Sequence, residues 1–412
     1  MGRARVRRTG AAVTGVGLLT PAGPTRESTW ERVCVGKPTS VLARQDGLTF
    51  LACRAPADHG GALHAGLGRA AARRPDRSSV FALHAAREAI LDSGLDPAHW
   101  DGARVGVVAG IGGGACLTYD RELAALQSGG PDDMSPFAVP SALPNSIAGQ
   151  LAIEFNIRNT AMAVATACAS GTTAIGIALD LLTLDRCDVV LVGGAEACLN
   201  PFYIAGFDRL NALSHRFHDP SGAPRPFDSL RDGFVMAEGA GFLVLERPQD
   251  ARARQAHVRG VIAGYGAVSD AHHVVAPRPD GSSMTAAIRA ALADAGAAPC
   301  DVDLVNAHAT GTPLGDTVEA SAIAATLPHL PPVTANKGVL GHMMAAAGAV
   351  EAALTVLSLE YGTIPPTANL AEPGPEVAIN LRTTGSDARM RLALSTSAGF
   401  GGHNGALAIT TA

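Results

Sequence analysis

The sequence predicts an α/β fold. Short apolar, β-branched runs that end at glycines alternate with longer runs of helical spacing, from residue 13 to residue 410. Hydrophobic residues make up 47% and charged residues 17% of 412, enough apolar material for a large core and too little charge for a disordered chain. Only 4% are aromatic while 47 are glycine, so the core has to be built from Ala, Val, Leu and Ile with backbones in close approach.

Residues 13–19 read as a short buried strand that runs into a turn at Pro21 and Pro24. Residues 79–93 have helical spacing, with Phe81, Leu83, Ala86 and Ile90 available to one face. Residues 104–109 form a strand that ends in Gly110, Gly112, Gly113 and Gly114. That cluster lacks the lysine of a P-loop and the spacing of a dinucleotide fingerprint, so no nucleotide site is expected. Residues 189–192 read as a strand covered on both faces and stopped by Gly193-Gly194. Residues 242–245 are another strand, and the polar, proline-bearing stretch 211–233 between them reads as a surface excursion. Further on come a helix over 282–296, a strand over 302–307, a helix over 317–327 and a long Ala-rich helix within 340–360. Strands over 392–397 and 405–410 close the chain, separated by Gly399, Gly401 and Gly402. Residues 161–180 and 302–326 each run from strand through turn to helix, which suggests two similar halves dividing near residue 250.

A net charge of -5 with no basic stripe argues against nucleic acid as a partner. The basic start, Arg3 to Arg8, is followed by an apolar stretch too broken by glycines for a secretory signal. No run reaches the roughly 18 to 20 apolar residues of a membrane span. The seven cysteines include no C-x-x-C pair, so neither structural disulfides nor a cysteine zinc site is expected. Asp270, His272 and His273 lack a further ligand at metal spacing, so no metal is expected. A soluble, cytoplasmic chain is the expectation. Its basic charge is almost all arginine, and Lys37 and Lys337 are its only lysines.

Four segments carry candidate chemistry. In Val164-Ala165-Thr166-Ala167-Cys168-Ala169-Ser170-Gly171 a cysteine sits among small residues, just before an apolar helical stretch. There the free N–H groups and the helix dipole favour thiolate, and the small neighbours leave room for a substrate. A packed structural cysteine is the other reading. His308 follows an apolar strand in Asn306-Ala307-His308-Ala309-Thr310-Gly311-Thr312-Pro313, and His342 ends Asn336-Lys337-Gly338-Val339-Leu340-Gly341-His342. A thiol nucleophile needs a base or electrostatic partner, and a reacting carbonyl needs donors for its oxygen. The turn Ser397-Ala398-Gly399-Phe400-Gly401-Gly402-His403-Asn404-Gly405 is either half of an oxyanion hole or a tight hairpin.

These motifs, in this order and spacing, resemble the β-ketoacyl-acyl-carrier-protein synthases of the thiolase superfamily, over nearly the whole chain from Val13 to Ile409. Arg225-Pro226-Phe227-Asp228, Arg231-Asp232-Gly233-Phe234 and Gly239-Ala240-Gly241 match as well. The nearest patterns are the type II condensing enzyme of fatty acid synthesis and the ketosynthase subunit of type II polyketide synthases. The resemblance implies a thiolase-like α/β fold with two pseudo-repeated βαβαβαββ halves in an αβαβα five-layer arrangement. Residues 1–250 would carry the nucleophilic cysteine and 251–412 the two histidines. It implies an acyltransferase that condenses malonyl carrier protein, with loss of CO₂, onto an acyl chain held by Cys168. His308 and His342 would assist decarboxylation, and Lys337 would support them with Glu351. The N–H groups of Cys168 and Phe400 would form the oxyanion hole, Phe400 would be the gate, and Thr310 and Thr312 would bind malonyl. No cofactor is implied beyond the phosphopantetheine of the acyl carrier protein. Partners would be that carrier protein, with Arg225 as a candidate contact, and a second subunit: a homodimer, or a heterodimer with a chain-length factor.

The departures from the family pattern bear on the pathway. His403 stands where threonine is usual, so a third histidine is expected near the pocket. Val274-Val275-Ala276 replaces a stretch that often has a threonine. Ser135-Pro136-Phe137-Ala138-Val139-Pro140 resembles the part that reaches across the dimer to close the acyl pocket. Ala138 stands where fatty acid enzymes tend to have an aromatic residue, and the smaller residue would open the pocket, with Cys116 and Leu117 candidates for its floor. This favours a type II polyketide, including polyene, ketosynthase over a housekeeping fatty acid enzyme. The remaining alternative is a non-elongating acyltransferase or scaffold subunit.

Overall fold

The computed structural model describes residues 10–56 and 76–412; Arg3 to Arg8 lie outside them. One sheet of eleven strands runs through the described residues. The first half contributes Ala11–Leu19, Val105–Gly110, Ala161–Val164, Val189–Glu196 and Gly239–Glu246. Numbered one to five in chain order, these lie side by side as 3-2-4-5-1. The second half contributes Gly260–Ser269, Leu304–Asn306, Pro332–Thr334, Leu392–Gly399 and His403–Thr410, again in the order 3-2-4-5-1, with Asn380–Leu381 added at the outer edge. Strand directions repeat as well. In each half strand two is parallel to strands three and four, while strand five is antiparallel to four and one. The halves join where residues 11–13 pair with residues 260–262.

The helices Ser170–Thr183 and Ala347–Tyr361 each touch strands of both halves and so form a central layer. Arg77–Ser93 covers the outer face of the first half. Ser282–Ala295, with Pro313–Thr326 beside it, covers that of the second. This is the five-layer αβαβα arrangement. Local chemistry sets the helix ends: Asp76 caps Arg77–Ser93 by accepting from Ser78 N, and glycines with left-handed φ end that helix at Gly94 and the central one at Gly362. In the central helix Ala347 to Leu359 are all buried, and Glu351 is the one charged side chain among them. From Met344 to Tyr361 it is long and apolar enough to cross a membrane, yet nearly all of that stretch is covered by protein. The two central helices cross backbone to backbone. A Cβ on Gly171 would stand 2.6 Å from Ala349 N, and one on Gly348 2.9 Å from Thr172 N.

Three expectations change. The strand begun at Val189 runs on to Glu196, because Gly193 and Gly194 keep their ladder partners in both neighbouring strands. The stretch 211–233 is not all surface, since residues 223–228 are buried and Phe227 is fully enclosed. The segment equivalent to 161–180 is not 302–326. By topology Ala161–Val164 matches Pro332–Thr334, and Val105–Gly110 matches Leu304–Asn306.

Candidate active site

Cys168, His308, Lys337 and His342 come together from the segments that follow the third strand of one half and the second and third strands of the other. Cys168 lies between strand Ala161–Val164 and helix Ser170–Thr183. The chain turns sharply there because Ala167 adopts a left-handed φ of 49°, while Ser170 Oγ holds the turn by accepting from Thr166 N (2.9 Å) and donating to Ala167 O (2.6 Å). His308 lies two residues past its strand. Its loop is gripped by buried Glu319, whose carboxylate accepts from His308 N (2.8 Å), Ala309 N (2.7 Å) and Thr396 Oγ1 (2.6 Å). His342 is pinned to the first half: its N–H donates to Val235 O (2.8 Å), and its carbonyl accepts from Ala237 N (2.9 Å).

The functional atoms face one another. His342 Nε2 stands 3.0 Å from Cys168 Sγ. The His308 and His342 rings meet edge to face, centroids 5.3 Å apart, and Phe234 packs edge to face on the other side of His342. Buried Lys337 donates to His308 O (2.5 Å) and to Glu351, and stands 3.3 Å from His308 Nδ1. A cation can only donate to that nitrogen, so the ring proton of neutral His308 is left on Nε2. Phe400 N donates toward Cys168 sulfur. The hydroxyls of Thr310 and Thr312 are 3.0 Å apart. Cys168, both histidines, both threonines and Phe400 line one cavity of about 530 Å³.

Burial governs the protonation states. It pushes His308 and His342 well below the ordinary histidine value, and Lys337 pushes both the same way, so both rings are neutral. It pushes the Cys168 thiol up to about 12, against the pull of Lys337 and the Phe400 N–H. The expectation that the helix start favours thiolate is therefore corrected: desolvation wins, and the resting group is a thiol beside a neutral imidazole. Burial also lifts the Glu351 carboxyl, with Lys337 drawing it back down.

Other sequence candidates lie elsewhere. Arg225 is buried, donates to Asp228 Oδ1 (2.8 Å) and Gly222 O (3.2 Å), and is not a free surface cation, because a buried guanidinium needs its partners. Cys116 and Leu117 do not line this cavity, and Cys116 sits behind Cys198, their sulfurs 3.8 Å apart; Ala138 lies outside the cavity of its own chain. His403 does not line it either. Strand alternation sends Asn404 to the cavity and its neighbour to the opposite face. Of residues 274–276, Val275 and Ala276 line the cavity and Val274 is exposed. His273 Nδ1 accepts from Val275 N and Ala276 N, and Asp270 accepts from Asn404 (2.8 Å). Among the described residues no three metal-ligating side chains gather. Sequence reasoning missed Glu319, Asp316, Glu196 and Phe234, all at the cavity. The available signal was a carboxylate on an otherwise apolar face: Asp316 and Glu319 are one turn apart, fully buried in a helix of Ala, Val and Ile.

Residues 10–251 match the β-ketoacyl synthase N-terminal domain and residues 259–371 its C-terminal domain. The chain belongs to the β-ketoacyl synthase family. It is a β-ketoacyl-acyl-carrier-protein synthase, an acyltransferase of the condensing kind. It is 38% identical over 401 residues to 3-oxoacyl-[acyl-carrier-protein] synthase 2 of Staphylococcus aureus, covering 96% of this chain and 99% of the relative. It is 37% identical over 402 residues to the synthase of that name from Vibrio cholerae (96% and 97%). Solved structures of the same fold include the ishigamide ketosynthase/chain length factor (TM-score 0.89, 30% identity, 98% and 100% covered). Another is the type II PKS complex AntDE:AntF, an acyl-carrier protein with its ketosynthase bound to the hexaketide (TM-score 0.88, 30%, 98% and 99%). A third is a β-ketoacyl synthase from Burkholderia phymatum STM815 (TM-score 0.89, 31%, 98% and 99%).

Proposed function

We propose that this synthase is the catalytic ketosynthase of a type II polyketide pathway, working on chains carried by an acyl carrier protein. The observation that carries the catalytic reading is the 3.0 Å approach of Cys168 Sγ to His342 Nε2 with the His308 ring beside it. As Sγ attacks the acyl thioester, its proton passes to His342 Nε2 and then to the departing phosphopantetheine sulfur. A thiol this hard to ionise needs a base in contact. Malonyl carrier protein follows, its carboxylate held by Thr310 and Thr312. The bond to that carboxylate breaks, CO₂ leaves, and the electron pair becomes an enolate whose oxygen is held by Nε2–H of His308, with His342 alongside. Neutral donors suit this step, because they stabilise developing charge in a dry site. The enolate carbon attacks the acyl carbonyl, whose oxygen is held by the N–H groups of Cys168 and Phe400. Cys168 leaves as thiolate and regains a proton from solvent. Lys337 and Glu351 position His308, Phe400 gates the cavity, and no cofactor enters the balance.

The polyketide assignment is supported by two structural neighbours at 30% identity, a ketosynthase/chain length factor and a type II PKS ketosynthase with its acyl-carrier protein, and by the small Ala138 in the segment that resembles the one reaching across the dimer. A housekeeping fatty acid role is the second reading, favoured by the 38% identical relative. We assign the nucleophile to a first half over 1–250 and the histidines to a second over 251–412. The partners are an acyl carrier protein and a second subunit, identical or a chain-length factor, and the setting is the cytoplasm. The test is intact mass after incubation with a short acyl carrier protein thioester, then with malonyl carrier protein. Acylation that vanishes in Cys168→Ala, followed by a β-ketoacyl product, supports the reading. Acylation without elongation, with or without a co-expressed partner, moves it to a non-elongating acyltransferase.

A further inference from the structure

The cavity at Cys168 has two chemically distinct parts. Thr310, Thr312 and Asn404 offer polar groups suited to a carboxylate, whereas Gly112, Gly113, Cys198, Tyr203 and Phe207 offer backbone, sulfur and rings suited to hydrocarbon, with the buried Glu196 carboxyl among them occupied by Gly113 N (3.0 Å) and Cys198 Sγ (3.0 Å). We infer that Tyr203, backed by Cys198, is a specificity-determining residue that sets the longest acyl chain Cys168 accepts. This rests on the acyl-transfer reading of Cys168. The wall is continuous. A Cβ on Gly113 would lie 2.9 Å from Cζ and 3.0 Å from Oη of Tyr203 and would overlap Cys198 Sγ, so turn, phenol and sulfur are already in contact. Behind it, Cys116 Sγ is 3.8 Å from Cys198 Sγ, and Cys116 and Leu117 belong to the apolar cluster there without reaching the cavity. Tyr203 is held as a fixed wall. Its N–H donates to Asn200 Oδ1 (3.1 Å) at the start of helix Pro201–Arg209, and its ring packs edge to face on Phe202 at 5.3 Å and lies 6.1 Å from Phe207. Removing the ring joins the cavity to the apolar region at Cys116 and Leu117.

The test uses N-alkyl iodoacetamides from ethyl to dodecyl, which need neither carrier protein nor elongation. Each forms a bond from Cys168 Sγ to the probe carbon, expels iodide and releases the thiol proton. Rates are read by intact mass and peptide mapping. In the unmodified protein the rate should drop sharply beyond a limiting chain length, because one methylene too many in a closed apolar pocket is worth about 10- to 200-fold. Tyr203→Phe should keep that limit, Tyr203→Ala should move it to longer chains, and the milder Cys198→Ala should move it the same way by less. A limit identical in all four proteins, or none in the unmodified one, overturns the inference while leaving the acyl-transfer reading standing. Failure of even the ethyl probe to reach Cys168 overturns both. The same shift in loading from acyl carrier thioesters ties the limit to the natural substrate.

Discussion

The two halves hold different chemistry at the same points of one topology. After strand three, the first half presents Cys168 and then helix Ser170–Thr183, while the second presents Lys337 and His342 and then helix Ala347–Tyr361. After strand two, the first half has the bare turn at Gly112 and Gly113, and the second has His308, Thr310 and Thr312. Strands four and five are joined in the second half by a tight turn bearing Phe400. In the first half an excursion of some forty residues joins them, and it supplies Cys198, Tyr203, Phe207 and Phe234. A repeated frame fixes where side chains are delivered, and the loops alone decide what is delivered. Cys168 and the apolar wall come from one half, His308, Lys337 and His342 from the other, and the two N–H groups proposed to hold the acyl oxygen, those of Cys168 and Phe400, one from each.

That division of labour can be broken. Cys168→Ala should abolish acyl transfer, a loss of about 10⁴-fold or more when a nucleophile is removed, with the second half intact; single-turnover loading checks it. His308→Ala should leave loading of Cys168 measurable and slow condensation by about 10²- to 10³-fold, the worth of one oxyanion donor. Equal losses in both steps would mean that His308 does not act in condensation alone. Glu351→Gln leaves Lys337 buried without its carboxylate and should cost about 3 to 5 kcal/mol in denaturant unfolding. Gly348→Ala forces a side chain into the helix crossing and should cost about 1 to 3 kcal/mol, with Gly171→Ala behaving alike if the crossing is symmetric.

The smallest effect concerns pH. His308 and His342 have folded values below the unfolded histidine value of about 6.5, so their share of stability is present above that pH and lost as pH falls through it. Glu196 and Asp316, lifted by burial to about 7, act oppositely: their share is present below their ordinary values of 4.5 and 3.8 and is lost as pH rises through 7. Melting curves of the unmodified protein and His342→Gln should therefore diverge on acidification, with the unmodified protein losing more.

Much of this was legible in the sequence because the motifs are local. Cys168, His308 and His342 each sit in a run of small residues at an element end, and a few neighbouring residues suffice to mark such a place. What was not legible depends on distant partners. Arg225 reads as a surface cation until Asp228 and the burial of residues 223–228 are seen. Glu319 looks like any helical carboxylate until its three donors appear. Cys116 reads as pocket floor because nothing in its own segment reveals that Cys198, 82 residues away, stands in front of it. The mispairing of 161–180 with 302–326 has a similar cause. Strand-turn-helix units look alike in one dimension, and only their order across the sheet separates second from third.

The placement of the two lysines has a practical consequence. Lys337 is locked in the core between Glu351 and His308, whereas Lys37 is exposed just beyond helix Arg26–Val35. An amine-reactive label therefore meets a single accessible side-chain amine. A dye attached there, by chemistry that spares the α-amino group, would mark one side-chain position without touching Cys168.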